Sequence, residues 1–277
     1  MMNLKYSAEE LIPSIVIDIK DRRKYVPMIL IGDAHLGHRN FNESKWEETL
    51  EWALKNKAYM IYMGDLIECM SNLNFGVPAF ESSLLTIEDQ KEIIIEYLKP
   101  FGRRNLLFLT GNHEWRSMRY AGVNIAKIIA KEIGAVYAGW GTLSTITFND
   151  NVEYGIALHH GSSSSVYPQY ELRRLDVVFE DYDILAVGHI HQLFHQVVQR
   201  LGRDKDGRIV ARDKHWIRTG SFLKYPLYAF KQSRPVMKNG APIVWLNTEK
   251  KNIHVDVSGS IGGFNVDNEN DPSSTNV

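Results

Sequence analysis

The sequence predicts an α/β protein: a four-layer αββα sandwich of two mixed β-sheets flanked by helices, with its reactive residues on one crest. Three observations predict it. Five short apolar runs, VPMILIG, AYMIYMG, LLFLTG, YGIALH and DILAVG, read as buried strands that are apolar on both faces. These runs lead to Asp33, Asp65, Asn112, His160 and His189 in turn, all polar side chains able to do chemistry. Helical segments separate the runs, whereas the final third is β-rich, so βαβ units give way to a more antiparallel half. Ligands of open α/β sheets sit beyond the carboxyl ends of strands, so that edge would carry the unusual chemistry.

Between the strands, Ser44 and Glu47 match a capping box, and Trp46, Leu50, Ala53 and Leu54 then share a helical face. Thr86 with Asp89 opens a second helix, which ends before Pro100. A third runs through Val123, Ile125, Ile129 and Ile133, with Gly134 to close it. HQVVQRL and RIVARDKHWIR flank GRDKDG and read as a β-hairpin with a polar turn. IVWLNT and NIHVDV are further strands. Residues 1–257 are expected to form a single domain with no separate capping unit. From Ser258 to Val277 the chain is rich in Gly, Ser, Asn and Asp, and a disordered tail is expected.

Composition narrows the class of protein. The chain has 277 residues, 44% of them apolar and 23% charged, enough to bury a core without disulfide staples. Cys69 is the single cysteine, which excludes an internal disulfide and fits a reducing compartment. The segment MMNLKYSAEELIPSI shows no signal-peptide pattern, and no apolar run is long enough to span a bilayer. A cytoplasmic protein with no membrane partner is therefore expected. A net charge of −1 removes the argument for a globally basic, nucleic-acid-binding surface, but not for a local patch.

The polar residues at the strand ends are Asp33 and His35, Asp65, Asn112 and His113, His160, and His189 with His191. Carboxylate, amide oxygen and imidazole suit divalent metals such as manganese, iron or zinc. One ion needs fewer groups than these. Two ions about 3.5–4 Å apart, sharing a bridging Asp, would use them all and stabilise an in-line displacement. A lone His or Asp at a strand end is more often a solvated loop residue; the set as a whole argues for metal. His159, His195, His215 and His254 lack that support and read as surface or packing residues, and Cys69 as a small buried one.

The motifs Asp33-Ala34-His35, Gly64-Asp65-Leu66-Ile67-Glu68, Gly111-Asn112-His113-Glu114, His160-Gly161 and Gly188-His189-Ile190-His191 occur in this order. Together they resemble the calcineurin-like metallophosphoesterase superfamily, from about Ile29 to His191, and the Gly-Ser-Phe segment near Ser221 fits the strand that usually follows. The resemblance implies a hydrolase that attacks phosphate esters with a metal-bridging hydroxide. It implies that Asp33, His35 and His191 hold one metal, that Asn112, His160 and His189 hold the other, and that Asp65 bridges them. Manganese is the first choice, with iron, zinc, nickel and cobalt as alternatives. His113 would be the general acid that protonates the leaving oxygen, with Glu68 to orient it.

The ester itself is less constrained. Protein phosphatases of the superfamily resemble GDxxDRG at the second motif, but here Cys69 follows Glu68 and the arginine clamp is missing. The opening DAHLGHRNF is similar to the DxHLG…F opening of double-strand-break-repair exonucleases, which favours a phosphodiesterase or nuclease acting on nucleic acid or nucleotides. The alternatives are a phosphomonoesterase or small-nucleotide hydrolase, and a catalytically inactive scaffold, against which stands the retention of every ligand. Arg116 and His38 are candidate substrate-binding residues, with Arg173 and Arg174 weaker. The basic run Arg200, Arg203, Lys205, Arg208, Arg212, Lys214 and Arg218 reads equally well as a nucleic-acid ribbon and as a solvated hairpin.

Overall fold

The structure, a computed structural model, describes residues 12–70, 85–224 and 238–259. Twelve strands among these residues form two six-stranded mixed sheets. The first contains β1 (Ser14–Ile19), β6 (Gly141–Phe148), β7 (Val152–His159), β8 (Ile184–Val187), β10 (Ile209–Thr219) and β9 (Leu193–Arg203), in that spatial order. The second contains β12 (Ile253–Asp256), β11 (Ile243–Asn247), β2 (Tyr25–Ile31), β3 (Tyr59–Tyr62), β4 (Asn105–Phe108) and β5 (Val136–Tyr137). In the second sheet β2, β3, β4 and β5 are parallel, and β11 and β12 add antiparallel pairs. In the first, β7, β8 and β10 are parallel, and β9 closes the edge as the expected hairpin.

A core of Met28, Leu30, Ile61, Leu107, Ile146, Ile156, Ile184 and Ile217, among others, fills the space between the sheets. The outer face of the second sheet is covered by α1 (Glu43–Lys55), α2 (Ile87–Leu98) and α4 (Ile125–Ile133). Trp46, Leu50 and Ala53 of α1 lie in that layer, as their spacing predicts. The outer face of the first sheet carries α5 (Gln169–Val178), through Leu172. Helix, sheet, sheet and helix are thus four layers. Strands buried on both sides read as unbroken apolar runs because neither face meets water.

Local readings differ in instructive places. The Thr86–Asp89 capping box is present, and α2 ends at Leu98 before a 3₁₀ turn over Lys99–Arg104. The Ser44–Glu47 box is not. The N-cap is Asn42, which makes no side-chain cap; its side-chain NH₂ donates to Asn239, and Ser44 lies exposed in the first turn. Val123 is excluded from its helix because Gly122 terminates α3 (Asn112–Ala121) in a left-handed conformation and Asn124 caps α4. The sequence pattern does not mark strands β1, β5 and β6 or helices α3 and α5. The tail expected over 258–277 lies outside the described residues from position 260 onward. Among the described residues, no helix is long and apolar enough to cross a membrane.

Candidate metal centre

The parallel strands β2, β3 and β4 place their carboxyl ends side by side, as β7 and β8 do in the other sheet. All five ends open on the same crest. The chain leaves them through tight turns in which Asp33, His35, Asp65, His189 and His191 have φ of 51°, 52°, 53°, 76° and 58°. Left-handed backbone costs a non-glycine residue on the order of 1–3 kcal/mol and gathers at functional sites. Backbone bonds tie the first two turns together, Asp33 N–H to Gly64 O and His35 N–H to Asp65 O, both at 3.0 Å. Gly111 is required by closeness alone, since a Cβ there would stand 2.0 Å from Asp65 Oδ1.

These turns gather the side chains. Asp33, His35 and His191 offer ligand atoms within 4.8 Å of one another, and so do Asp65, His160 and His189. Asp65 also groups with His35 and His113, so its carboxylate lies between the two sets. Asn112 Oδ1 is 3.1 Å from His160 Nε2, which adds the amide to the second set. His35 Nε2 and His191 Nε2 are 3.2 Å apart. Asp33 Oδ2 accepts the His189 N–H at 2.9 Å, while its buried Oδ1 makes no hydrogen bond and has His191 Nε2 3.5 Å away. A buried carboxylate oxygen without a donor is costly unless a cation faces it, so this donor set fits divalent metal ions.

The electrostatics run the same way. Burial pushes both aspartates up, yet His191 holds Asp33 below its ordinary value and His160 holds Asp65 well below. Burial opposes charge on His160, but Asp65 raises it to about 10. Burial lowers His35 to about 4, leaving a neutral imidazole suited to ligation.

Glu68 is almost fully buried between two histidines. Its Oε2 is 3.0 Å from His35 Nδ1 and 3.4 Å from His113 Nδ1, so its nearer partner is His35 rather than His113. Those hydrogen bonds outweigh burial and keep Glu68 ionised. The His113 ring is oriented chiefly by the Glu68 backbone, whose carbonyl accepts Nδ1–H at 2.8 Å. Its Nε2 then faces inward, 3.9 Å from Asp65 Oδ2. Burial disfavours the charged ring, but Asp65 and Glu68 raise the His113 pKa overall. The Arg116 guanidinium lies against His113, 3.0 Å from each ring nitrogen, and donates to Glu68 O at 3.1 Å. His38 sits on the loop after His35, and its Nδ1 accepts the Asn40 N–H at 3.0 Å.

Two buried carboxylates support the crest in roles that the sequence pattern does not assign, Glu114 of the third motif and Glu171. Glu114 accepts the N–H groups of Asp65, Leu66, Ile67 and Gly111 at 2.6–3.2 Å. The available signal was a Glu at the third position of a helix that a glycine caps. Glu171 accepts Ser162 N–H at 2.7 Å and pairs at 3.3 Å with Arg218, which donates to Gly188 O at 2.7 Å. The pair joins the loop after His160 to the turn before His189. Arg218, counted with the basic hairpin in sequence, is 1% exposed and inaccessible to a ligand.

The remaining hairpin cations lie elsewhere. His215 pairs with Ile184, the first residue of β8, so residues 209–214 extend past the sheet edge opposite the crest. Arg212 and its cross-strand neighbour Arg200 are seven residues from the crest end of the hairpin, roughly 23 Å at about 3.3 Å per residue. Arg200 pairs with Asp176, and Arg203 and Arg212 donate to carbonyls of the hairpin itself. Arg173 and Arg174 are exposed on α5.

The chain matches the calcineurin-like phosphoesterase family over residues 26–193, more than half its length, and belongs to that family. It is therefore a metal-dependent phosphoesterase by class. No curated protein matches it. Among solved structures it is similar to vacuolar protein sorting 29 of Cryptosporidium parvum, at 18% identity and a TM-score of 0.40, over 84% of this chain and 98% of that one. It is also similar to a metallophosphoesterase of Sphaerobacter thermophilus, at 11% identity and a TM-score of 0.37, over 83% and 88% of the two chains.

Proposed function

We propose that the protein is a phosphodiesterase that acts on nucleotides or nucleic acid and uses two divalent ions, manganese first among them. The observation that carries the two-ion reading is the pair of ligand groups on either side of Asp65, together with the Oδ1 of Asp33, which makes no hydrogen bond. Asp33, His35 and His191 would hold one ion, Asn112, His160 and His189 the other, and Asp65 both. Such ions supply Lewis acidity toward a phosphoryl oxygen and acidify a water molecule. Asp33 and Asp65 would supply the negative charge that holds them. Glu68 keeps His35 in the tautomer that presents Nε2 to the first set. Glu114 fixes the Asp65 turn through its backbone.

His113 is the proposed general acid, with Nε2 the nitrogen that gives its proton to the leaving oxygen. Its Nδ1–H bond to the Glu68 carbonyl leaves Nε2 on the site side, where an Arg116 N–H now stands 3.0 Å away, so Nε2 would carry the proton once Arg116 turns to the phosphate. Arg116 and His38 are the proposed substrate-binding residues, and Arg116 would exchange its contacts with His113 for a phosphate oxygen.

A monoester dianion needs more positive charge than a diester monoanion. The position after Glu68 is the buried Cys69, where the arginine clamp would stand, so of the guanidinium groups only Arg116 is proposed for the phosphate, which favours the diester. Purified protein reloaded with manganese should show a higher kcat/KM on bis(nitrophenyl) phosphate than on nitrophenyl phosphate. A preference for the monoester would replace this reading with a phosphomonoesterase. Hydrolysis of neither would leave a binding scaffold.

A further inference from the structure

Six tryptophans occur in the chain, and four of them lie in or against the core layers. Trp115 and Trp140 do not. They meet each other at the crest, ring centroids 5.5 Å apart and planes at 59°, with 38% and 37% of their surfaces exposed. Trp140 precedes β6, and its carbonyl accepts the His160 N–H at 3.0 Å. Its ring is 6.4 Å from that of His160. Trp115 follows Asn112 by three residues on α3, about one helical turn, so both lie on the same side of the helix. The pair therefore flanks the Asn112–His160 half of the site. Met118, one turn further and 39% exposed, prolongs the apolar surface.

A pair that served only packing would be expected in one of the core layers. Partly exposed indole rings beside a hydrolytic centre suit a planar ring carried by the substrate, because stacking needs a π-face and no matched hydrogen bonds. The short step from the His160 ring to the Trp140 ring suits a base held one sugar away from a phosphate. We propose that Trp115 and Trp140 form a stacking subsite for a nucleobase, which makes nucleoside phosphoesters the substrate class. The proposal rests on the phosphoesterase reading above and deepens it.

Adenosine 5′-monophosphate and ribose 5-phosphate differ only in the base, so calorimetric titration of the manganese-loaded protein with each isolates the subsite. The nucleotide should bind at least about fivefold more tightly, since stacking on an aromatic side chain is worth about that much or more. Trp115→Ala and Trp140→Ala should each remove most of that ratio, and Trp115→Phe and Trp140→Phe should keep most of it. Equal affinities in the wild type, or alanine variants that weaken both ligands alike, would overturn the subsite while leaving the phosphate site intact. If neither monoester binds, the phosphoesterase reading is decided by the nitrophenyl esters above and not by this titration. Titration with adenosine alone then decides the subsite: saturable binding lost in the alanine variants upholds it, and no binding ends it.

Discussion

Asp65 accepts the His113 N–H through Oδ1 at 2.7 Å and faces His160 Nε2 through Oδ2 at 3.3 Å, in a left-handed turn. Asparagine tolerates that backbone and can still accept the amide, but it carries no charge for a cation. Asp65→Asn should therefore keep the circular dichroism and melting behaviour of a folded protein while losing metal and hydrolysis; near wild-type metal content and turnover would refute the bridging role. His113 is tested through the leaving group. An alkoxide must be protonated as it departs and nitrophenolate need not be, so His113→Ala should cost ~10²–10⁴-fold on an alkyl-leaving diester and distinctly less on a nitrophenyl one. Equal losses on both, or loss of metal, would show a different role. Glu68→Gln should give a milder version of this pattern. Because Glu68 lies nearer to His35 than to His113, it should also lower metal affinity, by roughly 10–100-fold. At this scale the sequence was informative wherever a polar side chain ended an apolar run. It assigned no role to Glu114, three of whose four partners are backbone groups of another loop.

At the scale of elements, α3 and the β3 turn are joined by Glu114. Removing it leaves four buried N–H groups without an acceptor, each worth about 1–3 kcal/mol. Glu114→Ala should lower stability by at least ~3 kcal/mol in urea titrations. Glu114→Gln should recover only part, because its NH₂ would face N–H donors. A change below about 1 kcal/mol would mean that the turn holds itself. The hairpin offers a pH test away from the crest. The rings of His195 and His215 stack 5.2 Å apart, and burial lowers both, His195 to about 4. Folded values below the unfolded value near 6.5 mean that the contribution is complete above about pH 6.5. It is lost as pH falls from there toward about 4. The urea midpoint should drop between pH 7.5 and pH 5, and His195→Asn should flatten that drop; an unchanged slope would sink the assignment. Periodicity located the hairpin and α2, where pattern and local capping agree. It misplaced the start of α1, which begins after Asn42 with no side-chain cap to mark it.

Over the whole molecule, the candidate ligands come from both sheets: Asp33, His35, Asp65 and Asn112 from one, His160, His189 and His191 from the other. Ions bound there would cross-link the sandwich at its crest. Chelation should lower the melting temperature, and manganese at 100 times its Kd should restore about 2.7 kcal/mol, with hydrogen-exchange protection rising at strand ends of both sheets. Protection confined to one sheet would contradict a shared site. The sequence by itself determined the layered α/β class, the family and the residues that end the apolar strands. These are local facts, written in runs of hydrophobic side chains and in the polar residues that terminate them. The tertiary structure alone decided that Arg218 is buried while Arg200 and Arg212 lie at the opposite edge from the crest. It also decided that Glu68 turns first to His35, and that Trp115 and Trp140 meet beside His160. Each of these depends on strand register and on side chains brought together from distant positions, and a linear pattern carries neither.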